Sequence, residues 1–505
     1  MKCTVFGATG YIGGRLVPGL IDAGHEVRAV ARTPEKLAHV PWAGRAEVVK
    51  GDVTDADSVA AALEGQDVVY YLVHSLNQHD FVAADREAAE TVAAAAWEAG
   101  VSRIVYLGGI IPAHGRLSRH LASRAQVGRI LLASGVPTVE LRAAVILGSG
   151  SASFEMLRYL TERLPAMITP RWVNNRIQPI AIRDVLRYLT RAAELPAEVS
   201  RSFDIGGPDI LTYVEMMRRY AVVAHLPRRV ILPVRVLTPW LSAQWVNLVT
   251  PVPRSIAVPL IESVIHEVVC RDHDVDRYIP KPDGGLTHYE RAIELALTRI
   301  RDDDVPTRWS DASTPGAPSD PMPTDPDWSG GTLYQDVREL RTTASPETVW
   351  QVIEAIGGEH GWYSFPLAWS VRGWIDRLVG GVGLRRGRRD PRRLRVGEAL
   401  DWWRVEHLDR PRLLRLRAEM RVPGRAWLEL SVEPGPGNGS TYRQRALFEP
   451  HGFAGHAYWK GIAPFHGVVF GGMARNVVGA AERENGTPSA TVDAEAGGRT
   501  TDSAG

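Results

Sequence analysis

The sequence predicts an α/β part built on a doubly wound parallel sheet, followed by a smaller α+β part built on an antiparallel sheet. Three observations carry this. From Lys2 to about Ala143, short apolar runs alternate with longer, alanine-rich helical stretches. Residues 302–330 are rich in Pro, Asp and Ser and almost empty of aliphatic side chains. Beyond them apolar and polar residues alternate strictly, as in "LLRLRAEMRV" from Leu413 to Val422.

The first part gives six strands in order: "KCTVF", "HEVRAVA", "AEVVKG", "DVVYYLV", "RIVYLGG" and "PTVELRA". The stretches between them have helical periodicity, and several stop at a glycine before the next strand: Gly24, Gly65, Gly100 and Gly135. Strand, helix, strand in this rhythm is the pattern of a parallel sheet covered on both faces. From Val145 to Arg301 the pattern loosens into helices and short strands. The composition of 302–330 cannot bury enough apolar surface to offset the entropy of ordering it, so this stretch reads as a linker.

In the second part "LLRLRAEMRV" puts Leu414, Leu416, Ala418, Met420 and Val422 on one face, with Arg415, Arg417, Glu419 and Arg421 on a wet one. "AWLELSVEP" and "STYRQRALF" repeat the alternation around the turn "GPGNG". A helix precedes these strands, with Ser345 as N-cap and Pro346 at its first position. Another follows, with Trp459, Ile462, Val469, Phe470, Met473 and Val477 at helical spacing. The expected domains are therefore 1–301, a linker 302–330, a domain 331–483 and a disordered tail 484–505.

Bulk properties exclude several classes. The chain of 505 residues has a net charge of +1, which gives no global reason for a nucleic-acid partner. Its two cysteines, Cys3 and Cys270, have no CxxC spacing, so neither a disulfide framework nor a metal site is expected. No signal segment and no membrane-length apolar window is seen, and the expected compartment is the cytoplasm.

Chemistry begins at "TVFGATGYIGG", where three glycines follow the first strand. At the carboxyl end of such a strand, Gly7 permits a tight turn, Gly10 lets the backbone approach a pyrophosphate, and Gly13 lets the next helix pack on the sheet. Thr9, Tyr11 and Ile12 share that loop and first helical turn. The helix N-terminus then faces the phosphates of a dinucleotide. A NAD-preferring site ends its second strand with Asp or Glu; here Arg32 stands there, with Lys36 four residues on. A guanidinium can pair with a 2′-phosphate, so NADP(H) is expected over NAD(H). Asp52, with Val53 beside it, is placed for adenine, and Leu72, Val73, His74, Gly108 and Gly109 for ribose and nicotinamide.

The order "GATGYIG", "GDVTD", "YLGG" and "SRHLASRAQVGRILLASGVPTVELRAAVILG", closed by "QPIAIRDV" and "FDIGGPDILTYVEMM", resembles the atypical short-chain dehydrogenase/reductases, especially the NmrA-like NAD(P)-binding members. The likeness spans about residues 1–300 and implies a Rossmann-type sheet. Active members of that superfamily use a Tyr, a Lys four residues later and a fifth-strand Ser. The matching positions here are His120, Arg124 and Gly108 or Gly109. His120 could still exchange protons and Arg124 still bind the ribose. His74, beside Ser75, is the other titratable candidate, and His114 a weaker one.

The element order of 331–483 resembles the START/SRPBCC-like helix-grip fold, which wraps a curved sheet around its last helix and leaves an apolar cavity. Trp402, Trp403 and Trp427 could line it or form plain core. "GLRRGRRDPRRLRVG", from Gly383, holds seven arginines without interleaved aromatics and reads as a solvated hairpin or an interdomain salt-bridge surface, with an anionic ligand, an acidic membrane surface or an RNA contact as the functional alternatives. The resulting expectation is an NADP(H)-dependent oxidoreductase acting on a hydrophobic carbonyl or enone. A non-catalytic NAD(P)(H)-binding redox sensor or assembly protein is the second reading. Expected partners are a hydrophobic small molecule and a second copy in a homodimer, with no nucleic acid and no membrane span.

Overall fold

The computed structural model describes residues 1–75, 80–112, 117–234, 249–250, 252–263, 265–303, 322, 324–325, 332–357, 362, 393–420, 422–436 and 438–485. His114, most of the 302–330 stretch, the arginine cluster through Arg392 and the tail from 486 lie outside them. The chain divides into two compact units, Met1–Thr332 and Leu333–Gly505.

In the first unit, β1 (Lys2–Phe6), β2 (Glu26–Ala31), β3 (Glu47–Lys50), β4 (Val68–Tyr71), β5 (Arg103–Gly109) and β6 (Thr138–Ala143) form where the apolar runs lie. The strand Arg201–Ile205 joins them in a seven-stranded sheet, ordered Arg201–Ile205, β6, β5, β4, β1, β2, β3. Every pairing is parallel. From β1 the chain winds outward through β2 and β3, then returns to β4 on the other side. The carboxyl ends of β1 and β4 thus flank the crevice where such sheets bind ligands.

Alternation along each strand feeds two cores. Val5 and Ala29 pack on one face with Leu16, Val17 and Leu20 of α1 (Tyr11–Asp22). Phe6 and Val30 pack on the other with Val59 of α2 (Ala56–Leu63), Val92 of α3 (Phe81–Glu98) and Val127 of α4 (Arg119–Leu132). Gly24, Gly65, Gly100 and Gly135 have φ of 85°, 66°, 67° and 85°, the left-handed conformation that ends a helix at little cost for glycine. Beyond β6 come α5 (Ala152–Arg163), α6 (Ile182–Ala192), α7 (Tyr213–Val223) and the helix Arg254–Ser263. Thr212 and Glu215 close a capping box at the start of α7.

Part of the stretch read as linker is docked on this unit. Arg15 of α1 donates to both Asp325 carboxylate oxygens at 2.8 and 2.5 Å, with side chains 1% and 8% exposed. Met322 packs against the core beside Gly14. An average over some thirty residues hides these two side chains. Asp325→Ala should destabilise the first unit by about 3 kcal/mol, because it removes one half of a buried pair and leaves the other in place. Calorimetric melting checks this, and an unchanged transition would mean that the pair is solvated in solution.

The second unit is a six-stranded antiparallel sheet ordered Tyr334–Thr342, Ser440–Pro450, Gly424–Pro434, Leu413–Ala418, Trp403–Asp409, Ala399–Leu400. Leu414, Leu416, Leu428 and Leu430 meet Val349 and Ile353 of the helix Pro346–Glu354 and Met473 and Val477 of the helix Gly452–Asn485. Ser345 does cap the shorter helix, accepting from the Thr348 N–H. Trp402 and Trp403 pack with Trp362 in this core. The opposite face is less wet than alternation predicts. Arg415 is 2% exposed and donates through Nε to Glu429 at 2.8 Å, and Arg445 approaches the other Glu429 oxygen at 3.3 Å. The three charges form a row across adjacent strands, which alternation alone cannot reveal.

Candidate functional site

The glycines of the first turn divide by what needs them. Gly7 has φ +89°, and a Cβ there would lie 2.7 Å from the Leu72 carbonyl oxygen. A Cβ on Gly13 would lie 2.2 Å from the Gly7 carbonyl oxygen. Both are required by the chain itself. Gly10 is exposed, with an ordinary φ of −85°, and its Cβ would meet only the Gly7 oxygen, at 3.2 Å. Gly10 is also the N-cap of α1, where no side chain caps and no acidic residue occupies the first turn. The orphan N–H groups are left for an anion, so these residues fit a dinucleotide pyrophosphate.

The neighbouring strand ends continue a rim. Arg32 and Lys36 are exposed after β2. After β3, Oδ1 of Asp52 accepts from the Thr54 N–H and hydroxyl at 3.1 and 2.9 Å, and Val53 packs against the core. After β4, the Leu72 N–H donates to the Phe6 carbonyl at 3.1 Å, Val73 is half-buried and His74 is exposed. On β5, a Cβ at Gly108 would sit 2.8 Å from Glu140 Oε1, so this glycine makes room for a buried carboxylate. Thr9 and Ile12 are half-buried beside Gly10. Tyr11 lies under the Arg15 guanidinium, 4.2 Å from ring centroid to Cζ, and its hydroxyl makes no hydrogen bond among the described residues.

His120 and Arg124 share one side of α4. The Arg124 guanidinium donates to the Leu107 carbonyl at 3.2 Å, and the Tyr106 hydroxyl donates to the Arg124 carbonyl at 3.3 Å, which ties Arg124 to the end of β5. His120 Nδ1 lies 2.9 Å from Ser263 Oγ. Burial, then the charge of Arg124 and the nearby His74, push the His120 pKa down to about 3, so the ring is neutral at pH 7. Asp85, 5% exposed, accepts from the Ser75 N–H at 2.7 Å and the Ser123 hydroxyl at 2.9 Å, locking the exit of β4 to α4. Sequence reading passed over both Asp85 and Ser263. Their partners are up to 143 residues away, and no local spacing signals them.

Next to His120 opens a cavity of about 790 Å³. Its walls include Gly109 and Leu121 at the sheet end and Met156, Trp172, Tyr213 and Met217 farther out, and no Asp, Glu, Lys or Arg among the described residues lines it. No group of described His, Cys, Asp or Glu residues could hold a metal ion. No described helix is long and apolar enough to cross a membrane.

The first unit is thus a dinucleotide-binding sheet of the Rossmann type, with its glycine turn open at the switch point. Residues 7–135 match the NAD(P)H-binding family, and the unit carries an NAD(P)H-binding domain. Residues 328–473 match a family described as "Protein of unknown function (DUF2867)". An uncharacterized protein of Mycobacterium tuberculosis is 29% identical over 229 residues, 45% of this chain and 24% of that protein. Subunit 9 of the NADH dehydrogenase [ubiquinone] 1 alpha subcomplex of Arabidopsis thaliana is 25% identical over 46% of this chain and 60% of its own. A 3 beta-hydroxysteroid dehydrogenase/Delta 5→4-isomerase of M. tuberculosis is 35% identical over 117 residues, 21% of this chain and 30% of its own. The chain therefore spans less than two thirds of each of these relatives. Among solved structures, the triphenylmethane reductase of Citrobacter sp. complexed with NADP(H) is similar at 20% identity and a TM-score of 0.48, over 59% of this chain and all of that one.

Proposed function

We propose that the chain is an NADP(H)-dependent oxidoreductase of the atypical short-chain type whose substrate is an uncharged, mostly apolar carbonyl or enone or the corresponding alcohol. The observation that carries this reading is the cavity beside His120, which is walled by apolar groups and opens against the β5 end of a dinucleotide rim. An ionised substrate would be desolvated there without a counter-charge. Bound NAD(P)(H) supplies or accepts the hydride. Gly10 and the open end of α1 would hold its pyrophosphate, Asp52 its adenine side, and Arg124 its nicotinamide ribose. Asp85 would keep the β4 exit, and with it His74, in place.

Mixing the full chain with NADPH and a panel of hydrophobic ketones and enones, and with NADP⁺ and the matching alcohols, tests this reading through the absorbance of the reduced cofactor. Background rates throughout the panel would favour the sensor or assembly reading, which the replacement of the Tyr/Lys pair by His120 and Arg124 already supports. The second unit is read as a START-like helix-grip module from its order of helix, antiparallel sheet and long last helix.

Cofactor choice has its own test. NADPH should bind more tightly than NADH by about 1.5–3 kcal/mol, the worth of a charge-assisted hydrogen bond from Arg32 to the 2′-phosphate. Arg32→Asp should reverse the order in calorimetric titrations, and equal affinities in the natural protein would remove Arg32 from the site.

A further inference from the structure

The hydrogen bonds around His120 fix which kind of oxygen this side chain can bond. Ser263 Oγ carries a single proton and donates it to the Pro259 carbonyl at 2.8 Å, a group that can only accept. The contact of 2.9 Å between Ser263 Oγ and His120 Nδ1 must then be made by a proton on the ring. A neutral imidazole with its proton on Nδ1 keeps a lone pair on Nε2. Nε2 has no hydrogen-bond partner among the described residues, and the ring lines the cavity. Elsewhere the wall is apolar but for a few neutral hydroxyl and indole groups, such as Tyr213 and Trp172.

We infer that His120 is a hydrogen-bond acceptor for the ligand, so that the cavity selects an uncharged apolar molecule presenting a hydroxyl over the same molecule presenting a carbonyl. A hydroxyl can donate to Nε2. A carbonyl oxygen can only set its lone pairs against that of Nε2, and both groups lose their water on burial. Ser263 is a positioning residue in this arrangement: it acts on the ligand only by holding the proton on Nδ1. The inference rests on the proposal that the cavity is the substrate site, and it adds the functional group that the site recognises.

The test uses the full chain, unloaded and saturated with NADP⁺, titrated with trans-2-decalol and trans-2-decalone as a matched pair. The alcohol should bind about 10-fold more tightly than the ketone, the scale of one hydrogen bond made against one refused. Ser263→Ala removes the acceptor of the Nδ1 proton, lets the ring change tautomer, and should shrink that ratio towards one while both ligands still bind. His120→Phe should do the same by removing the acceptor. Histidine-selective ¹⁵N spectra give a readout that needs no ligand: His120 should show a protonated Nδ1 and a bare Nε2 in the natural protein and lose that fixed state in Ser263→Ala. Equal binding of the pair by the natural protein, or a proton found on Nε2, overturns the inference and leaves the oxidoreductase reading standing. If neither decalin binds, with or without NADP⁺, the cavity is not an apolar substrate site and both readings fall together.

Discussion

Gly10→Val should abolish NADPH binding in calorimetric titration while lowering the stability of the first unit by only about 1 kcal/mol, the scale of a poorer N-cap residue. A Cβ there would press on one atom, the Gly7 oxygen at 3.2 Å, which the exposed turn must relieve by a few tenths of an ångström, and φ of −85° suits valine. It would fill the space that a pyrophosphate needs at the open end of α1. Gly13→Val should do the opposite. Its Cβ would be driven to 2.2 Å from the Gly7 oxygen, a backbone atom that cannot step aside, so loss of binding should come with loss of the fold. Retained binding in Gly10→Val would make the glycine turn a purely structural device.

The second large effect is on acid stability. The His120 pKa is pushed from its ordinary 6.5 down to about 3 by burial and by Arg124, with His74 adding to the effect. Below pH 6.5 the unfolded chain takes up a proton at this position and the folded chain does not. Its contribution to stability is therefore complete above 6.5 and is lost as pH falls towards 3, by up to about 1.4 kcal/mol per pH unit. Between pH 7 and pH 5 this one group should cost the first unit about 2 kcal/mol, measurable by denaturant titration, and His120→Phe should lack that share of the slope. The same depression means that any turnover depending on His120 should show no step near pH 6.5. Identical slopes in the two proteins would mean that the folded state protonates His120 as readily as the unfolded chain.

The sheet of the first unit was legible because its signal is local: six apolar runs, a glycine after each of several helices, and one glycine cluster placed where a strand feeds a helix. The strand Arg201–Ile205 was harder to see, since it reaches the sheet only after about sixty residues of looser pattern. The places of the proposed rim residues at strand ends followed from chain order, which determines them once the sheet is parallel. The cavity side did not. His120 could be named from its place in the chain, but its proton is set by Ser263 on a helix far along the sequence, and Asp85 was one acid among several on an alanine-rich helix. In the second unit, strict alternation gave the strands and the buried leucines, yet Arg415 and Glu429 are buried on the face that alternation calls wet, because each neutralises the other across a strand pair.

The Arg15–Asp325 pair bears on how the protein can be divided. A fragment ended at residue 301, where composition first turns polar, would carry Arg15 in its interior and discard the carboxylate that meets it. Such a fragment should melt earlier, as Asp325→Ala should, even with every strand of its sheet intact. One ended at Thr332 keeps both partners and Met322. The dinucleotide-binding unit is therefore completed by residues some three hundred positions after the glycine turn, in a stretch whose composition alone would mark it as dispensable.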